Sequence, residues 1–226
     1  MIRHVKQNML KHKLLFLCLP FHYVSILRRH LLATKTVLDV GCGDGSLMDY
    51  LNDDRIFKVT GVDLFVPYIE KAKTRKCYQK VLRGDIRKLR FVDQFDAVLC
   101  SQVIEHLSLR EGQNMLSKME KLARKRVIIA TPNGFLEQHE YDQNPHQVHH
   151  SGWNVADFEK RGYRVFGQGA KVLFGEKGLV HEQIVQRISL LRYFLWVVSW
   201  ILGPYIYFHP EQAAYLIAIK DKKGVI

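Results

Sequence analysis

The sequence predicts an α/β fold in which a parallel sheet is covered by helices on both faces. Three observations predict it. Short β-branched runs alternate with helical stretches along most of the chain. A glycine-rich turn, Gly41 to Gly45, follows directly on the first of these runs. The 226 residues, 47% of them hydrophobic, suffice for one substantial core and fall short of two.

Taken in order, strands are expected near Thr36 to Val40, Phe57 to Val62, Gln79 to Leu82, Phe95 to Cys100, Arg126 to Ala130, Tyr163 to Phe166 and Ala214 to Lys220. Helices are expected over Gly45 to Leu51, Pro67 to Arg75, Glu111 to Ala123 and Asn154 to Lys160. No repeat or low-complexity linker divides the chain, so residues 36–226 read as one domain preceded by a helical extension over 1–35. The extension holds Lys11 to Lys13 and the apolar run Leu14 to Phe21. No small-residue cleavage pattern follows before Arg28 and Arg29, so this run reads as a helix packed on the domain and not as a signal peptide.

About forty residues separate the sixth and seventh expected strands, far more than an ordinary connection, and mark an insertion at about 170–212. Its middle, Ile188 to Phe208, carries Arg192 as its only charged residue. The uninterrupted part, Tyr193 to Phe208, is shorter than the roughly 20 residues a spanning helix needs, and Gly203-Pro204 breaks it. Strands on either side must pair within one sheet, so the segment has to return to its starting side. It is expected to pack on its own domain, to meet a second copy, or to lie peripherally in a membrane interface.

The formal charge of +12 biases the chain toward anionic partners and does not choose among RNA, acidic lipid and phosphorylated small molecules. Cys18, Cys42, Cys77 and Cys100 form no C-x-x-C pair, so neither a disulfide framework nor a zinc knuckle is expected, and a reducing cytosol fits best.

The chemistry concentrates in Val37-Leu-Asp-Val-Gly-Cys-Gly-Asp-Gly-Ser46. An apolar strand ends in Asp39, and glycines then let the backbone turn tightly and let a ligand approach main-chain N–H groups at a helix start. A nicotinamide or flavin fingerprint would place a third glycine at Ser46, so G-x-G-x-G argues for a different nucleotide.

This segment resembles motif I of the class I S-adenosylmethionine-dependent methyltransferases, and later landmarks fall in that family's order. Gly61-Val-Asp63 resembles the end of its second strand, with an acidic residue for the ribose hydroxyls. Gly84-Asp85-Ile86 resembles its adenine-binding loop. Phe95-Asp-Ala-Val-Leu-Cys-Ser-Gln-Val-Ile-Glu-His-Leu107 resembles its fourth strand and the turn after it, and Ile129-Ala-Thr-Pro-Asn133 the end of its fifth. The resemblance implies a Rossmann-like, mostly parallel sheet with an antiparallel last strand. It also implies a S-adenosylmethionine site built from Asp39, Gly41, Cys42, Gly43, Asp63, Leu64, Asp85, Ile86 and Ser101.

Ser101-Gln-Val-Ile-Glu-His stands where enzymes acting on base amines or glutamine amides show an Asp/Asn/Ser-Pro-Pro-Tyr/Phe sequence. The wording Val-Ile-Glu-His-Leu instead resembles the subfamily that methylates small molecules, so a small or lipid-linked acceptor methylated on oxygen is expected. Because the cofactor brings its own electrophile, the protein mainly aligns the acceptor and removes its proton. The candidates for that base are His150 and His149, in the imidazole-dense stretch His139 to Trp153, with Trp153 as an apolar wall.

The alternative is an RNA 2′-O-methyltransferase, since Glu105, His106 and a later histidine also resemble the ligands of metal-dependent enzymes acting on RNA 3′ ends or quinone-precursor catechols. Those families carry a glutamate at the position of Gln102, and an amide is a poor ligand for a hard cation, so no metal is expected. A third reading is a non-catalytic cofactor-binding scaffold.

Overall fold

The structure is a computed structural model, which describes residues 19–140, 143–175, 178–179 and 189–222. Most of the apolar run Leu14 to Phe21, and residues 180–188 of the insertion, lie outside the described residues. In chain order the elements are α1 (Tyr23–Leu31), β1 (Thr36–Val40), α2 (Ser46–Leu51), β2 (Lys58–Asp63), α3 (Val66–Lys73), β3 (Lys80–Arg83), β4 (Phe95–Ser101), α4 (Leu109–Leu122), β5 (Ala123–Pro132), α5 (Val155–Glu159), β6 (Arg164–Ala170), α6 (Lys171–Phe174), α7 (Ser189–Ile201), α8 (Gly203–Phe208) and β7 (Ala213–Asp221). The seven strands form one sheet in the order β3-β2-β1-β4-β5-β7-β6. The pairs β1–β2, β1–β4, β2–β3 and β4–β5 are parallel, and β7 runs antiparallel to both β5 and β6. Strand order reverses between β1 and β4, the place where open α/β sheets bind ligands beyond their strand ends.

The alternation of side chains along each strand feeds two cores. Leu38, Val40, Val98, Cys100, Val127, Ile129, Leu216 and Ala218 point to one face, where α4 supplies Met115, Leu116 and Met119. Val37, Ala97, Leu99, Val59, Ile128, Ile217 and Ile219 point to the other, where α1 supplies Val24, Ile26, Leu27 and Leu31. The helix α4 starts where Ser108 and Glu111 form a reciprocal capping box. Its Gly112 is required by packing, because a Cβ there would sit 2.4 Å from Trp153 Cζ2.

Two boundaries differ from the sequence expectation by three or more residues. The helix α4 passes directly into β5 at Ala123, because the basic run after it is absorbed by acids across the sheet edge: Arg124 and Lys125 pair with Asp96, and Arg126 with Asp221. The strand β6 continues to Ala170 because β7 offers it a full antiparallel partner. Among the described residues the insertion holds the helices α6, α7 and α8. The last, α8, lies close on β6, where Gly167 leaves room that a Cβ would close to 2.3 Å from Ile206 O. Tyr207 stacks on Phe166 at 4.6 Å.

Candidate active site

At the C-terminal ends of β1, β2 and β4 the chain encloses a cavity of about 340 Å³. Gly41 and Gly43 form one wall, Asp63, Leu64, Asp85 and Ile86 the next, and Gln102, Val103, His106, His146, Gln147 and His150 the opposite one. Both glycines adopt left-handed backbone, with φ +67° at Gly41 and +55° at Gly43, a conformation that costs other residues about 1–2 kcal/mol. At Gly41 a Cβ would overlap Val103, whereas at Gly43 nothing lies within 4 Å of the missing Cβ. The main chain at Gly43 is therefore bare toward the cavity.

Asp63 closes this corner. Its Oδ2 accepts from Gly43 N–H at 2.8 Å and its Oδ1 from Phe65 N–H at 2.9 Å. A carboxylate has about four acceptor sites, so two remain for a ligand once the backbone has fixed its direction. Asp85 is more committed. Arg87 approaches it in a fork, Nε to Oδ1 at 2.9 Å and NH2 to Oδ2 at 2.8 Å, and this holds its carboxyl below the usual range. These features fit a nucleoside-bearing cofactor: a bare main-chain turn, an oriented carboxylate facing it, and the apolar side chains of Leu64 and Ile86.

Three residues of the sequence-derived site stand behind this wall. Asp39 is buried and receives Tyr78 O–H at 2.6 Å. Burial pushes its carboxyl up to about 7, against the opposing pull of that hydrogen bond. Ser101 Oγ is hydrogen-bonded to Tyr23 O–H at 2.6 Å. Cys42 packs beneath Gly61 and Tyr78, and burial keeps its thiol protonated. Tyr23 and Tyr78 were not singled out by the sequence, because only the folded sheet brings them to β4 and β1.

Asp39 gives a stability prediction. A carboxyl whose pKa is higher folded than unfolded binds its proton more tightly in the native state, so stability falls as pH rises from about 4 to about 7 and is flat above. Asp39→Asn removes that penalty and keeps an acceptor for Tyr78. Measured by urea unfolding without cofactor, its stability relative to the wild type should improve by about 2–3 kcal/mol between pH 5 and pH 8. A pH-independent difference would mean that Asp39 titrates normally.

The histidine stretch divides in the structure. His150 lines the cavity, and its backbone N–H donates to Glu105 O at 2.8 Å, with Ser151 N–H on the same carbonyl at 3.1 Å. His149 turns the other way and is buried; its Nδ1 meets Leu136 O at 2.6 Å and its ring lies 4.7 Å from that of His106. Trp153 corrects the sequence expectation of an acceptor wall. It is fully buried, donates from Nε1 to Ser151 Oγ at 3.0 Å, and packs on Phe158 inside the core.

Among the described residues, Glu105, His106 and His149 offer one ligand atom each within 4.8 Å of one another. Glu105 is buried; one carboxylate oxygen accepts from Thr131 Oγ1 at 3.0 Å and the other has no hydrogen-bond partner. Burial pushes the Glu105 carboxyl up to about 7 and the His106 imidazole down to about 4. Neutral imidazoles and an orphaned oxygen fit a borderline divalent ion such as Zn²⁺. Gln102, where the metal-dependent families carry glutamate, lines the neighbouring cavity at φ +55°.

Comparison with known proteins places this geometry. Residues 37–126 match a family described as a methyltransferase domain. An uncharacterized methyltransferase of Mycobacterium tuberculosis is 34% identical over 119 residues, 51% of this chain and 55% of that one. A ubiquinone biosynthesis O-methyltransferase of Rickettsia bellii is 31% identical over 102 residues, 43% of this chain and 42% of that one. The chain thus spans about half the length of these curated relatives. Among solved structures, the methyltransferase domain of bacterial CtHen1 has the same fold, with a TM-score of 0.55 at 20% identity, over 90% of this chain and 100% of that one. Over residues 37–126 the chain is thus similar to methyltransferase domains, and its sheet has the fold of solved methyltransferases.

Proposed function

We propose that this chain methylates an oxygen of a small-molecule or lipid-linked acceptor. The observation that carries the reading is the presence of His150 on the wall of the same cavity as Gly41, Gly43 and Asp63. The bound cofactor supplies an electrophilic methyl group on a sulfonium. The protein's part is to hold that cofactor through the Gly41–Gly43 main chain, the Asp63 carboxylate and the side chains of Leu64 and Ile86. His150 takes the proton of the acceptor hydroxyl as the new C–O bond forms and the S–C bond breaks. Asp39, Cys42 and Ser101 act from behind, keeping the strand ends in place through Tyr78 and Tyr23. Transfer to oxygen is supported by the name of the Rickettsia bellii relative.

One observation favours a second reading, metal-dependent 2′-O-methylation of RNA: the Glu105, His106 and His149 group with its orphaned oxygen. There those three residues would hold the ion, which would polarise the hydroxyl to be methylated. Transfer of labelled methyl from S-adenosylmethionine to a panel of phenols and to short RNA, with and without chelator, separates the two. The first reading expects turnover on a phenol that a chelator leaves unchanged. Turnover on RNA alone, lost with chelator and restored by Mn²⁺ or Zn²⁺, would establish the second. Cofactor binding with no transfer to any acceptor would indicate a scaffold.

A further inference from the structure

We infer that the α7–α8 corner docks on the surface of an anionic lipid bilayer. The helix α7 carries Arg192 as its only charged residue, and among its described side chains apolar ones face both the core and solvent. Its inner side, with Leu191, Leu195 and Val198, packs on Ala170, Leu173, Phe174 and Ile206 in a small core of its own. Its outer side presents Leu190, Phe194 and Ile201 to solvent, 77%, 59% and 64% exposed, and the corner adds Trp200 and Phe208, 47% and 68% exposed. Tyr193 to Phe208 contains no charged residue. A surface helix normally turns charged side chains outward, so this face lacks a partner.

The fold rules out a crossing. At 13 residues α7 is about 20 Å long, short of the bilayer core. No helix among the described residues is long and apolar enough to cross a membrane. The flanking strands β6 and β7 pair with each other in one sheet, so the chain enters and leaves the corner on the same side. What remains is a helix lying along an interface, where Trp200 and Tyr205 suit the headgroup level.

Charge selects the occupant. A second copy of a chain carrying +12 brings like charge to the contact, whereas acidic headgroups attract it. Basic residues lie on the elements packed with this corner. Lys171 is exposed on α6, which shares the small core with α7. Exposed Arg29 stands 5.9 Å over the ring of Tyr207 in α8.

The test is flotation of the full chain with vesicles of phosphatidylcholine alone or with roughly one third phosphatidylglycerol. Binding is expected to the mixed vesicles only, and to be released by about 0.5 M NaCl. Phe194→Ser/Ile201→Ser/Phe208→Ser should lower the bound fraction about tenfold, and Val92→Ser, an exposed apolar site elsewhere, should not. Arg29→Glu/Lys171→Glu, which leaves the apolar face intact, gives a second reading that does not depend on the triple variant folding; it too should weaken binding. The proposal is overturned by absence of flotation, by equal flotation on both vesicles, or by binding that survives both variants. A dimer in light scattering that the triple variant dissolves would assign the face to a second copy instead.

Discussion

His150→Ala is expected to slow methyl transfer by about 10²- to 10⁴-fold while leaving S-adenosylmethionine affinity nearly unchanged. His150 lines the cavity, and its position comes from the main chain: His150 and Ser151 both donate to Glu105 O. Truncation at Cβ removes the base and leaves those bonds intact, so the loop should hold its place. His149→Ala makes an instructive contrast. Its imidazole is buried against His106 and tied to Leu136 O. Losing it should lower thermal stability as well as rate, because an internal hydrogen bond and a packed ring disappear together. Initial rates with labelled cofactor, alongside melting curves, separate the two. A His150→Ala enzyme with wild-type rate would remove His150 from the mechanism.

The sheet was legible because its signal is local. Most strands are short apolar runs with β-branched residues, several end at Gly, Asp or Asn, and β1 runs over the expected Thr36 to Val40. The glycine turn, Asp63 and Asp85 each lie at or just after a strand end, a local signal, and the structure brings them to one cavity. What sequence could not give was direction across the fold. Asp39 and Ser101 sit on motif strands, yet the pleat and the chain partners Tyr78 and Tyr23 place them behind the cavity wall. Trp153 follows the histidines in the chain and was read with them, but Gly112 of α4 opens the slot that takes its ring into the core. His149 and His150 are neighbours in sequence and face opposite ways, as residues in extended backbone do. The metal-ligand grouping joins residues more than forty positions apart, and the bonds from His150 and Ser151 to the Glu105 carbonyl, with that between His106 Nδ1 and Val148 O, bring the two segments together.

The second large effect concerns the cofactor corner. Asp63→Ala removes the proposed acceptor for the ribose hydroxyls and leaves the N–H groups of Gly43 and Phe65 without their partner, so the turn is expected to loosen as the contact is lost. Two charge-assisted hydrogen bonds correspond to about 3 kcal/mol, or roughly 100-fold in affinity. Asp63→Asn, which keeps one acceptor oxygen, should fall between the two. Gly43→Trp acts by volume: the open space beside Gly43 is cavity, and an indole there occupies it while forcing a left-handed backbone on a bulky residue. Neither site belongs to the hydrophobic core, so both proteins should fold.

The most direct measurement is calorimetric titration of S-adenosylmethionine into the wild type, Gly43→Trp and Asp63→Ala. Saturable binding in roughly the micromolar range is expected for the wild type, about 100-fold weaker binding for Asp63→Ala, and no binding heat for Gly43→Trp. Equal affinity in all three proteins would contradict the placement of the cofactor between the glycine turn and Asp63.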